Sequence, residues 1–295
     1  MTLDSIHFDS LERVSEETLY RVFLDAFFDY AVPITATMDD FLAMHVRRGV
    51  SYGASVGAFD GDQLAGFIFN GEGIWNGGRC AYDAGTGVIP AYRGIGLSKA
   101  LAEETGRLLR ASGFSHWLLE VLIDNDKAIR TYKGAGFFTT RRFSCPDGMV
   151  ADPTGAAEAA MYRAGVKIDA LDTLDIRRFS AWRAWEPSWQ NSDASVARSP
   201  ERLFTLGAFP AGGRNGEPVG YIVATEKGSV LQLAVHPDHR RSGIGKSLVA
   251  ALASRTPEGK VRYVNVQSDD EATLGLLATF GIQGGPAQWE MLRNL

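Results

Sequence analysis

The sequence predicts two α/β domains in tandem, each a mixed and mainly antiparallel sheet with helices on both faces. Three observations predict this. The chain has 295 residues, 45% hydrophobic and 22% charged, which is enough for two cores of ordinary size. Short runs of β-type residues bounded by turn signals alternate with amphipathic helical stretches in both halves. One segment also recurs: Val88-Ile89-Pro90-Ala91-Tyr92-Arg93-Gly94-Ile95-Gly96-Leu97-Ser98 and Val235-His236-Pro237-Asp238-His239-Arg240-Arg241-Ser242-Gly243-Ile244-Gly245 share Val, Pro, Arg and the middle Gly at a constant offset of 147 (235 minus 88).

The elements follow in order. Leu19, Val22, Phe23, Ala26 and Phe27 recur at helical spacing, and Pro33 ends the run. Val56, Ala58 and Phe59 precede Asp60-Gly61-Asp62, and Leu64 to Phe69 follow it, which predicts a hairpin. A strand over about 80–88 feeds a helix whose apolar face carries Leu97, Ala100, Leu101 and Leu108. A strand at Trp117–Val121 and a helix from about Asp124 to Ala135, closed by Gly136, complete the first half. The second half repeats the order: a helical stretch near Asp172 to Trp185, strands near 203–209 and 219–225 joined by the hairpin loop 212–216, a strand 230–235, and a helix carrying Ile244, Leu248, Ala251 and Leu252. A strand 261–266 and a helix from about Asp270 to Phe280 close it. Turn signals at Pro146-Asp147-Gly148 and Asp152-Pro153 put the boundary between Pro146 and Lys167, giving domains 1–150 and 151–295.

Composition narrows the function. A net charge of −5 without a clustered Lys/Arg tract argues against nucleic acid as partner. No apolar run reaches the roughly 18 residues that span a bilayer, and the acidic start resembles no signal peptide, so a cytoplasmic protein without a membrane partner is expected. Cys80 and Cys145 form no Cys-x-x-Cys pair, and His236 and His239 bracket a proline rather than share a helix face, so no metal is expected.

The repeated segment lies between a strand and a helix, where backbone N–H groups at a helix start meet an anion and the helix dipole favours negative charge. Gly94, Gly96 and Ser98, and Ser242, Gly243 and Gly245, leave room for a phosphate; Arg93 in one copy, and Arg240, Arg241 and Lys246 in the other, would add positive charge. Other phosphate motifs fit worse. Gly245-Lys246-Ser247 copies the end of a P-loop, but Arg240 stands where that motif needs glycine, and Gly94-Ile95-Gly96 lacks the third glycine of the dinucleotide pattern.

The segment V-x-P-x-x-R-x-x-G-x-(G/A) after a strand resembles the acetyl-CoA pyrophosphate motif of the GNAT N-acetyltransferase superfamily, with Ser98 in place of the final Gly or Ala. Asn125, Ala128, Tyr132, Gly136 and Phe137 are similar to the family's N-x-x-A-x-x-x-Y-x-x-x-G-F. The resemblance implies two tandem GNAT-like domains with splayed central strands, and acetyl-CoA as co-substrate. It places Val88, Arg93, Gly94, Ile95, Gly96, Leu97, Ser98 and Asn125, and in the second copy Val235, Arg240, Arg241, Ser242, Gly243, Ile244, Gly245 and Lys246, at the cofactor. It also places Tyr132 near the thioester sulfur, where a phenol can protonate a leaving thiolate. Asp83 and Glu120 are carboxylates available to take the amine's proton, and structural ion pairing is an equal alternative for both.

The second copy is less complete. At an offset of 145 (281 minus 136) Gly281 matches Gly136, but Asp270, Thr273, Leu277 and Ile282 replace Asn125, Ala128, Tyr132 and Phe137. The expected function is acetyl transfer to a small-molecule or peptide amine with the N-terminal domain catalytic, the C-terminal domain binding cofactor or giving support. The alternatives are a non-catalytic acetyl-CoA-binding sensor or scaffold, and catalysis in the C-terminal domain, as resemblance to mycothiol synthase-like tandem members implies. Phe27, Phe28, Tyr30, Trp75 and Tyr82 are candidate linings of an acceptor pocket, and core packing explains them as well.

Overall fold

A computed structural model describes residues 3–29, 36–211 and 216–295, with the backbone alone at 174 and 175. Tyr30, Pro33 and most of the expected loop 212–216 lie outside these. The chain forms two compact units, Met1–Arg141 with Trp289–Leu295, and Arg142–Gln288. The division therefore falls before the turn signals at 146–153, and the last seven residues return to the first unit.

In the first unit the elements are β1 (Ile6–Ser10), α1 (Glu16–Ala26), α2 (Met38–Arg48), β2 (Val50–Asp60), β3 (Gln63–Trp75), β4 (Gly78–Val88), α3 (Leu97–Ala111), β5 (His116–Leu122), α4 (Asp126–Gly134) and β6 (Phe138–Ser144, whose end enters the second unit). Local chemistry sets their ends. Ser15 accepts from the Thr18 amide at the start of α1, Thr37 and Asp40 form a capping box on α2, and Gly49 closes α2 in the left-handed region at φ 71°. The expected hairpin joins β2 to β3 through Gly61. On α3 the buried face runs through Leu97, Leu101, Thr105 and Leu109, one position beyond the expected Leu108, because an i, i+4, i+8 row rather than each leucine faces the sheet.

The second unit comprises β7 (Asp147–Met149), α5 (Pro153–Ala164), β8 (Val166–Ala170), α6 (Asp193–Arg198), β9 (Leu203–Pro210), β10 (Gly220–Thr225), β11 (Ser229–Val235), α7 (Ile244–Ala253), β12 (Lys260–Tyr263), β13 (Val266–Gln267) and α8 (Glu271–Ala278). The final strand β14 (Ala287–Asn294) carries the chain back to the first unit. The helix expected near Asp172–Trp185 is a 3₁₀ helix, Thr173–Trp182. Strand 261–266 is broken after Tyr263, where Asn265 takes φ 62°.

Strand order in the first unit is β1-β2-β3-β4-β5-β14-β6, with β1 to β4 antiparallel in sequence and β4–β5 parallel. In the second it is β7-β12-β11-β10-β9-β8, with β11–β12 parallel. The first core is aromatic, with Phe41, Phe67, Phe69 and Trp117 fully buried. The second is aliphatic on one face of its sheet, around Ile222, Leu248, Val249 and Leu277, and aromatic on the other, around Phe179 and Tyr221.

Candidate active site

Both sheets open at the same place. β4 pairs with β5 only through Cys80–Tyr82 against His116–Leu118, although β4 runs on to Val88 and β5 to Leu122. β11 pairs with β12 only at Ser229 and Val230. The parting coincides with a bulge: Phe69 faces Gly85 and Asn70 faces Asp83, so Ala84 is the extra residue. In the second unit Val223 faces Gln232 and Ala224 faces Val230, so Leu231 is extra. Ala84 and Leu231 are again 147 apart, so bulge and splay belong to the repeat. In the first unit the bulge is anchored by buried Asn70, which donates to the Ala54 carbonyl (2.8 Å) and accepts from the Trp117 indole (2.9 Å).

Beyond each splay lies the repeated loop. Gly94 and Gly96 stand at φ 83° and 90°, and Arg241 and Gly243 at 63° and 89°, so Arg241 occupies a position that suits glycine. Gly96 and Gly243 are the N-caps of α3 and α7, and neither receives a side-chain cap, which leaves first-turn amides for a ligand. A Cβ added at Gly94 would meet nothing within 4 Å. Leu97 and Ile244 are buried core anchors, Ser98 and Gly245 take the next helical position, and Lys246 is exposed. This loop fits a pyrophosphate.

The arginines of the motif brace the loop from within. Arg93 donates through Nε to the Val88 carbonyl (3.0 Å), through Nη2 to the Ala26 carbonyl (2.8 Å) and through Nη1 to Asp29 (2.6 Å). Arg240 repeats this, donating to the Val235 carbonyl (3.3 Å) and the Trp182 carbonyl (2.8 Å). Each guanidinium ties a strand end to the end of an earlier helix and so acts as a clamp that sets the loop. The hydrogen bond from Arg93 holds the Asp29 carboxyl below its ordinary range. Asn125 is also committed locally: it is the N-cap of α4 and accepts from the Ala128 amide (3.1 Å). Asp270 caps α8 in the same way.

The splay of the first unit is polar. Half-buried Tyr132 donates from its hydroxyl to Asp83 Oδ2 (3.2 Å), which also accepts from Thr86 (2.6 Å), while Asp83 Oδ1 accepts from the Gly85 amide (3.0 Å). Asp83 is 7% exposed, and burial pushes its carboxyl up to about 6. Tyr82 donates to Glu120 Oε2 on β5 (3.2 Å), and burial holds its phenol well above the ordinary value. From α2, Arg48 donates to the bulge carbonyl of Ala84 (2.6 Å). Of the proposed pocket aromatics, Tyr82 is thus at the splay, whereas Phe28 is 85% exposed and Trp75 sits at the far end of β3 beside Arg141.

The second unit replaces this arrangement with packing and an internal bridge. Leu277 and Val230, at the positions of Tyr132 and Asp83, are both fully buried in one apolar cluster. Gln232 donates to the Asn191 carbonyl (2.7 Å), and Asn191 donates to the Val264 carbonyl (2.6 Å), joining the two sides of the splay. Arg183, which donates to Asp193, to Tyr221 (2.9 Å) and to Gln232 (3.1 Å), completes a network that motif reading missed because its members lie 10 to 49 residues apart. The neighbouring recess is lined by Trp185, Leu233 and Tyr263. His236 turns its Nδ1 to the Asp238 amide (3.2 Å).

Comparisons agree with this fold. The model of the acetyltransferase (GNAT) family matches residues 15–137 and 171–282, one segment in each unit, and the chain belongs to that family. A GCN5-related N-acetyltransferase from Sphaerobacter thermophilus superposes with a TM-score of 0.71 at 16% identity over 100% of this chain and 97% of that one. A tandem GNAT protein from the clavulanic acid biosynthesis pathway gives 0.70 at 15% identity, covering 98% of each chain. These structures share the tandem fold. No curated protein sequence matches significantly. Among the described residues no helix is long and apolar enough to cross a membrane, and no group of three or more His, Cys, Asp or Glu side chains is placed to hold a metal ion.

Proposed function

We propose that the first unit transfers an acetyl group from acetyl-CoA to the amine of a small molecule or peptide. The observation that carries this reading is Tyr132 in the splay, hydrogen-bonded to buried Asp83, where the second unit has Leu277 and Val230. The amides from Gly94 to Ser98 would hold the pyrophosphate, with Val88 and the Arg93 clamp fixing the loop, and the parted strands β4 and β5 would admit the pantetheine arm. The amine nitrogen attacks the thioester carbonyl, the carbon–sulfur bond breaks, and Tyr132 gives its proton to the departing sulfur. Glu120, on the other side of the splay, is the candidate to take the amine's proton.

For the second unit we propose cofactor binding or support without turnover. The Gln232–Asn191–Val264 bridge and the leucine at 277 favour this over a catalytic C-terminal unit. An amine-panel screen with acetyl-CoA, read by thiol release, tests the reading with Gly96→Glu as the blank. Release with at least one amine, abolished in the blank, is expected; no release with any amine while acetyl-CoA binds calorimetrically would make the chain a sensor.

A further inference from the structure

Asp83 ties its own strand end by accepting from Gly85 and Thr86, but the bulged strand does not need an acid to form. The repeat places Val230, also buried, at the same position of the same bulged strand, and the fold there is kept. Asp83 and Tyr132 are replaced together, by Val230 and Leu277, although they lie 49 residues apart. Paired loss points to a shared task. A carboxylate facing Tyr132 opposes the task assigned to that tyrosine, because it accepts the phenol's proton in a hydrogen bond and would stand beside a phenolate if the proton left.

We propose that Asp83 is a positioning residue that works protonated: its carboxyl O–H donates to the Tyr132 oxygen and turns the Tyr132 O–H toward the leaving sulfur. The inference rests on the acetyl-transfer reading. When the carbon–nitrogen bond forms and the carbon–sulfur bond breaks, the electron pair stays on sulfur, the Tyr132 proton passes to it, and the Asp83 proton refills the phenol oxygen. Asp83 regains a proton from water, balancing the one released by the amine. The groups facing Asp83 are Tyr132 from α4, Arg48 from α2, and Tyr82 and Thr86 on its own strand, with Glu120 behind Tyr82. Burial, the largest influence, holds the carboxyl up at about 6, so the protonated form is accessible near neutrality.

The test has two arms on the full chain. Without substrate, tyrosine ultraviolet difference absorption is followed from about pH 4.5 to about pH 8. A step with its midpoint near 6, present in the wild type and lost in Asp83→Asn and in Tyr132→Phe, is expected; a profile identical in the wild type and Tyr132→Phe overturns the coupling even if Asp83→Asn does not fold. With acetyl-CoA and an accepted amine, the ratio of kcat for Asp83→Asn to wild type should start below one in acid, since the amide positions Tyr132 but cannot return a proton to its oxygen. It should rise about tenfold per pH unit above about 6 as wild-type Asp83 loses its proton. A flat ratio overturns the relay. No thiol release from the wild type refutes acetyl transfer, and the relay with it, while the first arm still decides whether Asp83 and Tyr132 titrate together.

Discussion

Replacing Asp83 by asparagine should stabilise the first unit at alkaline pH, and the gain should disappear in acid, where only a cost of about 1 kcal/mol for rearranged hydrogen bonds remains. The carboxyl titrates at about 6 in the fold against an ordinary 3.8, because burial disfavours the charged form. A raised value in an acid means that the protonated group suits the folded state. Its contribution is full below about 3.8 and is lost as pH rises to 6, after which the penalty is constant. At about 1.4 kcal/mol per pH unit, the difference amounts to about 3 kcal/mol at pH 8, undiscounted because the side chain is buried. Asparagine keeps an acceptor for the Gly85 amide but rearranges the bonds from Thr86 and Tyr132, which offsets about 1 kcal/mol. The net gain is about 2 kcal/mol, or roughly thirtyfold in the opening equilibrium. Amide hydrogen exchange of β3 and β4 peptides, corrected for intrinsic rates, reads this unit without assuming two-state unfolding of the chain. A gain at pH 8 that vanishes near pH 4 is expected; equal protection in both proteins at pH 8, or a loss there, would refute the burial argument.

The remaining expectations concern the frame of the site. Arg241→Gly relieves a left-handed residue that the first unit fills with Gly94, and should raise the stability of the second unit by about 1 kcal/mol, read as a higher unfolding temperature. Ending the chain after Gln288 removes buried Glu290, Met291 and Leu292 and the partner strand of β5 and β6, a loss of several kcal/mol that is comparable with the whole stability of a domain. Exchange protection should then collapse in β2–β5 and persist in β10 and α7. Arg93→Gln breaks two charged bonds to backbone carbonyls and should cost about 2–4 kcal/mol in the first unit by the same measurement; Arg93→Lys should not restore it, since one ammonium cannot span Val88 and Ala26.

Local signals in the sequence were sufficient for much of the fold. The Asp60-Gly61-Asp62 turn and the repeated loop depend on residues within a few positions of one another, and the structure forms them; the caps at Asn125 and Asp270 are equally local but show only in the structure. The repeat alignment also set Arg241 opposite Gly94, a readable sign of strain. Long-range assignments were not legible. Nothing around Arg93 marks its bond to the Ala26 carbonyl, 67 residues earlier. Strand β14 has ordinary strand composition, and nothing in it marks a place between β5 and β6. Thr173–Trp182 carries helical periodicity yet winds as a 3₁₀ helix, a difference of one hydrogen-bond step that hydrophobic spacing does not resolve. Asp83 was readable as a carboxylate on the right strand, but its meeting with Tyr132 depends on where the strands part.

The central claim is that Tyr132 in the first unit completes the reaction. Its most direct test is Tyr132→Phe, with thiol release from acetyl-CoA measured beside calorimetric binding of the cofactor. The account predicts turnover reduced at least about tenfold with binding retained, since the ring stays and only the proton donor is removed. Unchanged turnover across pH, or turnover abolished instead by substitution of Leu277, would contradict it.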